Sequence, residues 1–171
     1  MINHDNKLST QTYKRSTIMF KSTYRLALNF FAFALVYMMS TLQANEPALA
    51  YKYDDKRLQW GPCPPFIGEG CEIAILHGDP AKNNLDIFFK VPGDFPIPHH
   101  WHTSAERMAL VSGKLKVTYD NQTTEVLETG MYAYGPAKHP HTAYCEKGDP
   151  CVLFIAFEEP LDAFEVMKAT K

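Results

Sequence analysis

Most of the histidine in this chain sits in two short segments. The first is Pro98-His99-His100-Trp101-His102-Thr103-Ser104-Ala105-Glu106, and the second is Gly135-Pro136-Ala137-Lys138-His139-Pro140-His141. On an extended strand, residues two apart share a face. His100 and His102 therefore project together, with His99 and Trp101 on the opposite side. Glu106 follows four residues later and can return to the histidine face after a small bend. In the second segment His139 and His141 are again two apart, and either can bring a third nitrogen from a remote strand. Imidazoles and a carboxylate suit a borderline divalent ion. Four protein ligands on an octahedral ion leave two positions open for water, dioxygen or a small bidentate molecule. Because the donors come from distant positions, the fold must be complete before the ion binds. Other chemistries lack their residues. There is no nucleophile elbow, no phosphate-cradling glycine loop, and no C-x2-C spacing of a zinc or dithiol site.

The elements that must position these side chains are short strands. Glu72–Leu76 is an apolar run that stops at the turn His77-Gly78-Asp79-Pro80. Leu85–Val91 is β-rich and stops at Pro92-Gly93. Lys114–Asp120 alternates, with Leu115, Val117 and Tyr119 on one face and Lys114, Lys116 and Thr118 on the other. Asn121-Gln122 turns the chain into Thr123–Leu127. Gly130 opens Met131–Tyr134. Cys151–Phe157 is apolar throughout, which predicts a strand buried on both faces. About eight such strands with Gly or Pro between them predict an all-β sandwich or small barrel. A terminal tail or short helix is expected over 161–171, and an arm or first short strand over 45–71.

The 171 residues are 46% hydrophobic, enough for one globular domain, and the net charge of −2 argues against a nucleic-acid partner. The charge is unevenly spread. Residues 1–44 carry Lys7, Lys14, Arg15, Lys21 and Arg25 against Asp5 alone, so the remainder is acidic. Lys21 and Arg25 precede the apolar stretch Leu26–Met39, interrupted only by Asn29, and small residues follow. This pattern predicts a cleaved export signal over 1–44, cut after Ala44 or after Ala50, with Met19 as an alternative start. A retained anchor and a buried helix are the other two readings. Fourteen helical residues reach only ~21 Å, short of a ~30 Å hydrocarbon core. No stable membrane span is therefore expected after cleavage, and the protein is expected to be exported, periplasmic or secreted. All four cysteines follow the leader, as an oxidising compartment would favour. Cys63 with Cys71, and Cys145 with Cys151, each flank a short turn and are the expected disulfide pairs; four thiols are the alternative.

The two histidine segments resemble the paired motifs of the cupins. The first cupin motif runs G-x5-H-x-H-x3-E-x6-G. Gly93, His100, His102, Glu106 and Gly113 follow it, with one extra residue between Gly93 and His100. Placing His99 at the strict first position would make Trp101 its partner, and an indole cannot ligate. The second motif, G-x5-P-x-G-x2-H-x3-N, is met by Gly130, Pro136 and His141, with Lys138 in place of the glycine and Cys145 in place of the asparagine. The resemblance covers roughly 72–160 and implies a jelly-roll, double-stranded β-helix barrel there. It implies His100, His102, Glu106 and His141 as ligands of one divalent metal. Fe(II) or Mn(II) is favoured, with Zn(II), Ni(II) and Co(II) also fitting. His139 has no ligand counterpart in the pattern; it is expected at the pocket mouth, behind the ligands or as a proton carrier, or else facing solvent, and Trp101 is expected outside the barrel. Tyr132, Tyr134, Met108 and Phe154 are candidate pocket-wall residues. Relatives of this kind include dioxygenases and the metal-binding half of anti-sigma factors, and homodimers are common among them. Two functions follow as expectations: a metal-dependent oxidoreductase or dioxygenase on a small organic substrate, or a non-catalytic module that binds or senses a metal or small ligand.

Overall fold

The computed structural model describes residues 46–167, and the architecture below belongs to the unit from Ala50 onward. The expected signal segment and its alternative start at Met19 lie outside the described residues. Among the described residues there is no helix, and eleven strands form two antiparallel sheets. The strands are β1 (Trp60–Pro62), β2 (Glu72–His77), β3 (Leu85–Val91), β4 (Phe95–Trp101), β5 (Glu106–Ser112), β6 (Lys114–Tyr119), β7 (Glu125–Glu128), β8 (Tyr132–Gly135), β9 (His141–Cys145), β10 (Cys151–Phe157) and β11 (Phe164–Glu165). One sheet has the order β1-β2-β3-β10-β5-β8 and the other β11-β4-β9-β6-β7. The all-β jelly-roll expectation holds. Residues 161–167 take the form of a tail rather than a helix, and Phe164–Glu165 pairs with Trp101 and His100 of β4.

Strand β10 shows why its sequence is apolar throughout. It lies between β3 and β5, and its two faces meet different apolar groups. Leu153, Ile155 and Phe157 point into the core between the sheets. Val152 and Phe154 point outward, where Leu58, Tyr51, Tyr53 and Trp60 of the preceding arm cover them. Fully burying such a side chain contributes about 1.5–3 kcal/mol. The arm therefore converts an exposed sheet face into a second small core. Trp60 closes this cover with the Lys90 ammonium 4.0 Å from its ring centre.

Strand β6 is the opposite case. Leu115, Val117 and Tyr119 are buried, whereas Lys114 and Lys116 are exposed, as period-two alternation requires. Gly113, just before it, adopts φ +80°, and an added Cβ there would press on the Pro150 carbonyl and Cys151. The cysteines pair as expected, Cys63 with Cys71 and Cys145 with Cys151, each at disulfide distance. The second pair joins the end of β9 to the start of β10 and so links the two sheets.

Candidate metal centre

The histidines of the first segment face inward because β4 contains a bulge. Ile97 pairs with Ala143 and His100 with His141, so two residues of β4, Pro98 and His99, stand opposite Thr142 alone. Ile97 and His100 are three apart and would lie on opposite faces of a regular strand. The bulge brings both to the cavity side. It also accounts for the extra residue between Gly93 and His100, since the surplus is absorbed without losing the inward phase. Proline suits the position, where a ladder hydrogen bond is already missing. His99 then points outward to Asp120, with Nε2 2.9 Å from Oδ1. Trp101 stacks on Phe164 at 4.5 Å, outside the cavity, as expected.

Each inward imidazole is held by a main-chain carbonyl. His100 Nδ1 lies 2.7 Å from the Pro98 oxygen, His102 Nδ1 2.5 Å from the Asp162 oxygen, and His141 Nδ1 3.2 Å from the His139 oxygen. A carbonyl only accepts, so Nδ1 carries the proton in all three rings and Nε2 keeps its lone pair. Asp162 also accepts from the Thr103 amide at 2.8 Å, which ties the tail to the loop after β4. The second segment is tied to the first by Lys138, whose amide donates to the His102 carbonyl at 2.7 Å. Lys138 has φ +58°, the left-handed conformation that the motif glycine would take freely. The substitution thus keeps the loop geometry at a cost of roughly 1–2 kcal/mol.

His100, His102 and His141 can each present one ligand atom with all three within 4.8 Å of one another. Glu106, at the start of β5, lies outside that trio but faces it. Its Oε1 is 3.5 Å from His102 Nε2 and its Oε2 3.7 Å from His141 Nε2. Burial, helped by its neighbour His102, holds the His100 pKa down at about 4. Burial, helped by His100, holds His141 at about 3. Both imidazoles are therefore neutral near pH 7, the form that ligates. Burial also pushes the Glu106 carboxyl upward, with His102 pulling the other way. The neutrality of His141 makes its approach to Glu106 a polar contact rather than an ion pair.

The cluster opens onto a cavity of about 230 Å³ between the sheets. Most of its wall is aliphatic. Pro64 and Ile67 contribute from the loop between Cys63 and Cys71, and Leu161, Asp162 and Ala163 from the tail. Met108 lines the cavity as expected, but three other expected wall residues do not. Phe154 packs on the outer face of β10. Tyr132 and Tyr134 are 63% and 52% exposed, because the inward phase of β8 falls on Ala133 and Gly135. The His139 imidazole turns to the Asp120 carbonyl at 2.9 Å and is not part of the cavity wall, so only its own carbonyl supports the cluster. Tyr119 and the Asp162 carbonyl are contributors that the motifs did not mark. Period-two alternation did place Tyr119 inward.

The cupin-domain family matches residues 88–157. No curated protein matches. Among solved structures, the DMSP lyase DddQ from Ruegeria pomeroyi DSS-3 is 14% identical at a TM-score of 0.58, over 76% of this chain and 77% of that one. A structure from work on the DMSP lyases RdDddP and RnDddQII is 18% identical at 0.57, over 64% of this chain and 63% of that one. Oxalate decarboxylase of Bacillus subtilis, a protein with Mn(II) centres, is 19% identical at 0.50, over 58% of this chain and 29% of that one. At these identities the likeness is one of fold. The family match runs from the middle of β3 to the end of β10 and takes in both histidine segments, so residues 88–157 form a cupin domain.

Proposed function

We propose that this cupin holds one divalent metal ion through His100, His102, His141 and Glu106, and that it is an exported oxidoreductase or dioxygenase acting on a small organic molecule. One observation carries the metal reading: three imidazoles from two remote segments, each with Nδ1 committed to a carbonyl, offer Nε2 to one buried point. The donor set fits a hard-to-borderline ion, with Mn(II) or Fe(II) favoured, and the fold likeness to a protein with Mn(II) centres agrees. When bound, such an ion supplies Lewis acidity and redox capacity. The chain's residues do the rest. The carbonyls of Pro98, Asp162 and His139 orient the imidazoles. Glu106 contributes the one negative charge of the set. The aliphatic wall keeps bulk water from the reacting face, and the loop between Cys63 and Cys71 lies over it with the tail. Two disulfide pairs and the basic, apolar leader support export.

A second reading, a non-catalytic binding module, draws on the wall itself, which offers few groups for acid–base chemistry beyond the cluster. Oxygen uptake separates the two readings. Protein reconstituted anaerobically with Fe(II) and then given oxygen over a panel of small acids and phenols should consume oxygen with at least one of them. A ligand-induced rise in Tm without consumption would favour the binding module. In either case His102→Ala and Glu106→Ala should lower the metal content, and full retention would remove those residues from the ligand set.

A further inference from the structure

The cavity contains one polar side-chain atom whose hydrogen bonding the cluster does not explain. Tyr119 is 8% exposed, lines the cavity, and its hydroxyl has no hydrogen-bond partner. It stands directly across the β6–β9 ladder from His141, with the rings 4.7 Å apart. Gly135 makes room for it: a Cβ added there would collide with the hydroxyl and would stand 3.1 Å from Glu106 Oε2. The hydroxyl therefore lies on the Glu106 side of the cavity, beside the histidines. Leaving a buried hydroxyl unpaired costs roughly 1–3 kcal/mol, so a native site that keeps one there is built for an acceptor that arrives with the ligand.

We propose that Tyr119 is the specificity-determining donor of this cavity and that its ligand class is small aliphatic monocarboxylates. This inference rests on the metal reading above. A cation and a phenolic donor on the same side both call for an oxyanion. The wall holds no Lys or Arg to meet a second one. Ile87, Leu115, Val117, Leu153 and Ile155 offer only apolar contact, which suits an aliphatic tail. The volume corresponds to roughly eight water-sized groups, so the whole ligand is small.

The test is calorimetric titration of the Mn(II)-loaded full chain with 3-methylbutanoate, glutarate and 3-methylbutanol, repeated on Tyr119→Phe. Wild type should bind 3-methylbutanoate at least ~10-fold more tightly than glutarate. Tyr119→Phe should keep its Mn(II) by elemental analysis and lose ~10- to 100-fold in affinity for 3-methylbutanoate. Its affinity for 3-methylbutanol should fall far less, which a merely structural role for the ring would not produce. Equal binding of the acid by both proteins would overturn the role of Tyr119. Equal or tighter binding of glutarate by wild type would overturn the ligand class whether or not the variant folds. Wild type that takes up no metal would overturn the underlying metal reading, and the elemental analysis shows this before any ligand is added.

Discussion

The two sheets of this barrel divide its work. The six-stranded sheet is mostly wall: β3, β10 and β5 present aliphatic side chains to the cavity, and the arm covers their outer face. The five-stranded sheet carries His100, His141 and Tyr119 on its inner face and charge on its outer one, where Lys114 meets Glu128 at 3.3 Å and Lys116 meets Glu146 at 3.0 Å. Such exposed pairs stabilise little. The difference teaches that rigidity and chemistry are supplied from opposite sides of the cavity. The exception is Glu106, which starts β5 and brings a carboxylate from the wall sheet to the histidines.

If the division is real, damage to the wall should cost stability before it costs metal. Leu110 on β5 is fully buried. Leu110→Ala should lose about 2–5 kcal/mol in urea unfolding while still taking up metal at low temperature. Loss of metal at full folding would break the comparison. The covalent link between the sheets comes next. Replacing Cys145 and Cys151 together by Ser should cost about 2–4 kcal/mol. It should also loosen the hairpin after His141, seen as faster amide exchange over 141–151, and unchanged exchange would place the constraint elsewhere.

The histidines make the site sheet sensitive to acid once metal is removed. His100 and His141 hold pKa values of about 4 and 3 in the fold, against 6.5 for an unperturbed imidazole. The unfolded chain therefore takes up their protons first. Their contribution is present above pH 6.5 and is lost as pH falls toward 4. Glu106 has the opposite sign: its raised pKa gives a contribution present at low pH and lost as pH rises. With two groups against one, the Tm of chelator-treated protein should fall between pH 6.5 and 4, and a His100→Ala/His141→Ala double variant should flatten that slope. The smallest expected effect is a gain. Lys138→Gly removes the left-handed strain and should raise stability by up to ~1 kcal/mol. A loss would mean that the lysine side chain itself holds the loop.

Much of this was legible in the sequence wherever the information is local. Alternation placed Leu115, Val117 and Tyr119 inward, and the unbroken apolar run marked β10 as covered on both sides. His100 and His102 were correctly phased relative to His99 and Trp101. What the sequence left open depended on pairing partners. The surplus residue after Gly93 is a bulge only because Thr142 lies opposite. Tyr132 and Tyr134 were candidate wall residues whose facing the sequence left open; the phase depends on which of β8's alternating sets turns to the cavity side of the sheet, and there the small Ala133 and Gly135 face in. The Asp162 carbonyl that orients His102 comes from sixty residues downstream, and no motif records such a contact. The unpaired hydroxyl of Tyr119 is likewise a property of the assembled cavity.

The central claim is that two remote segments share one ion, and metal content in wild type and His141→Ala tests it most directly. Loaded anaerobically with Mn(II) and passed through a desalting column, wild type should keep about one ion per chain, whereas folded His141→Ala should keep far less. An equal ion count in the two proteins would contradict the account, because the second segment would then contribute no ligand.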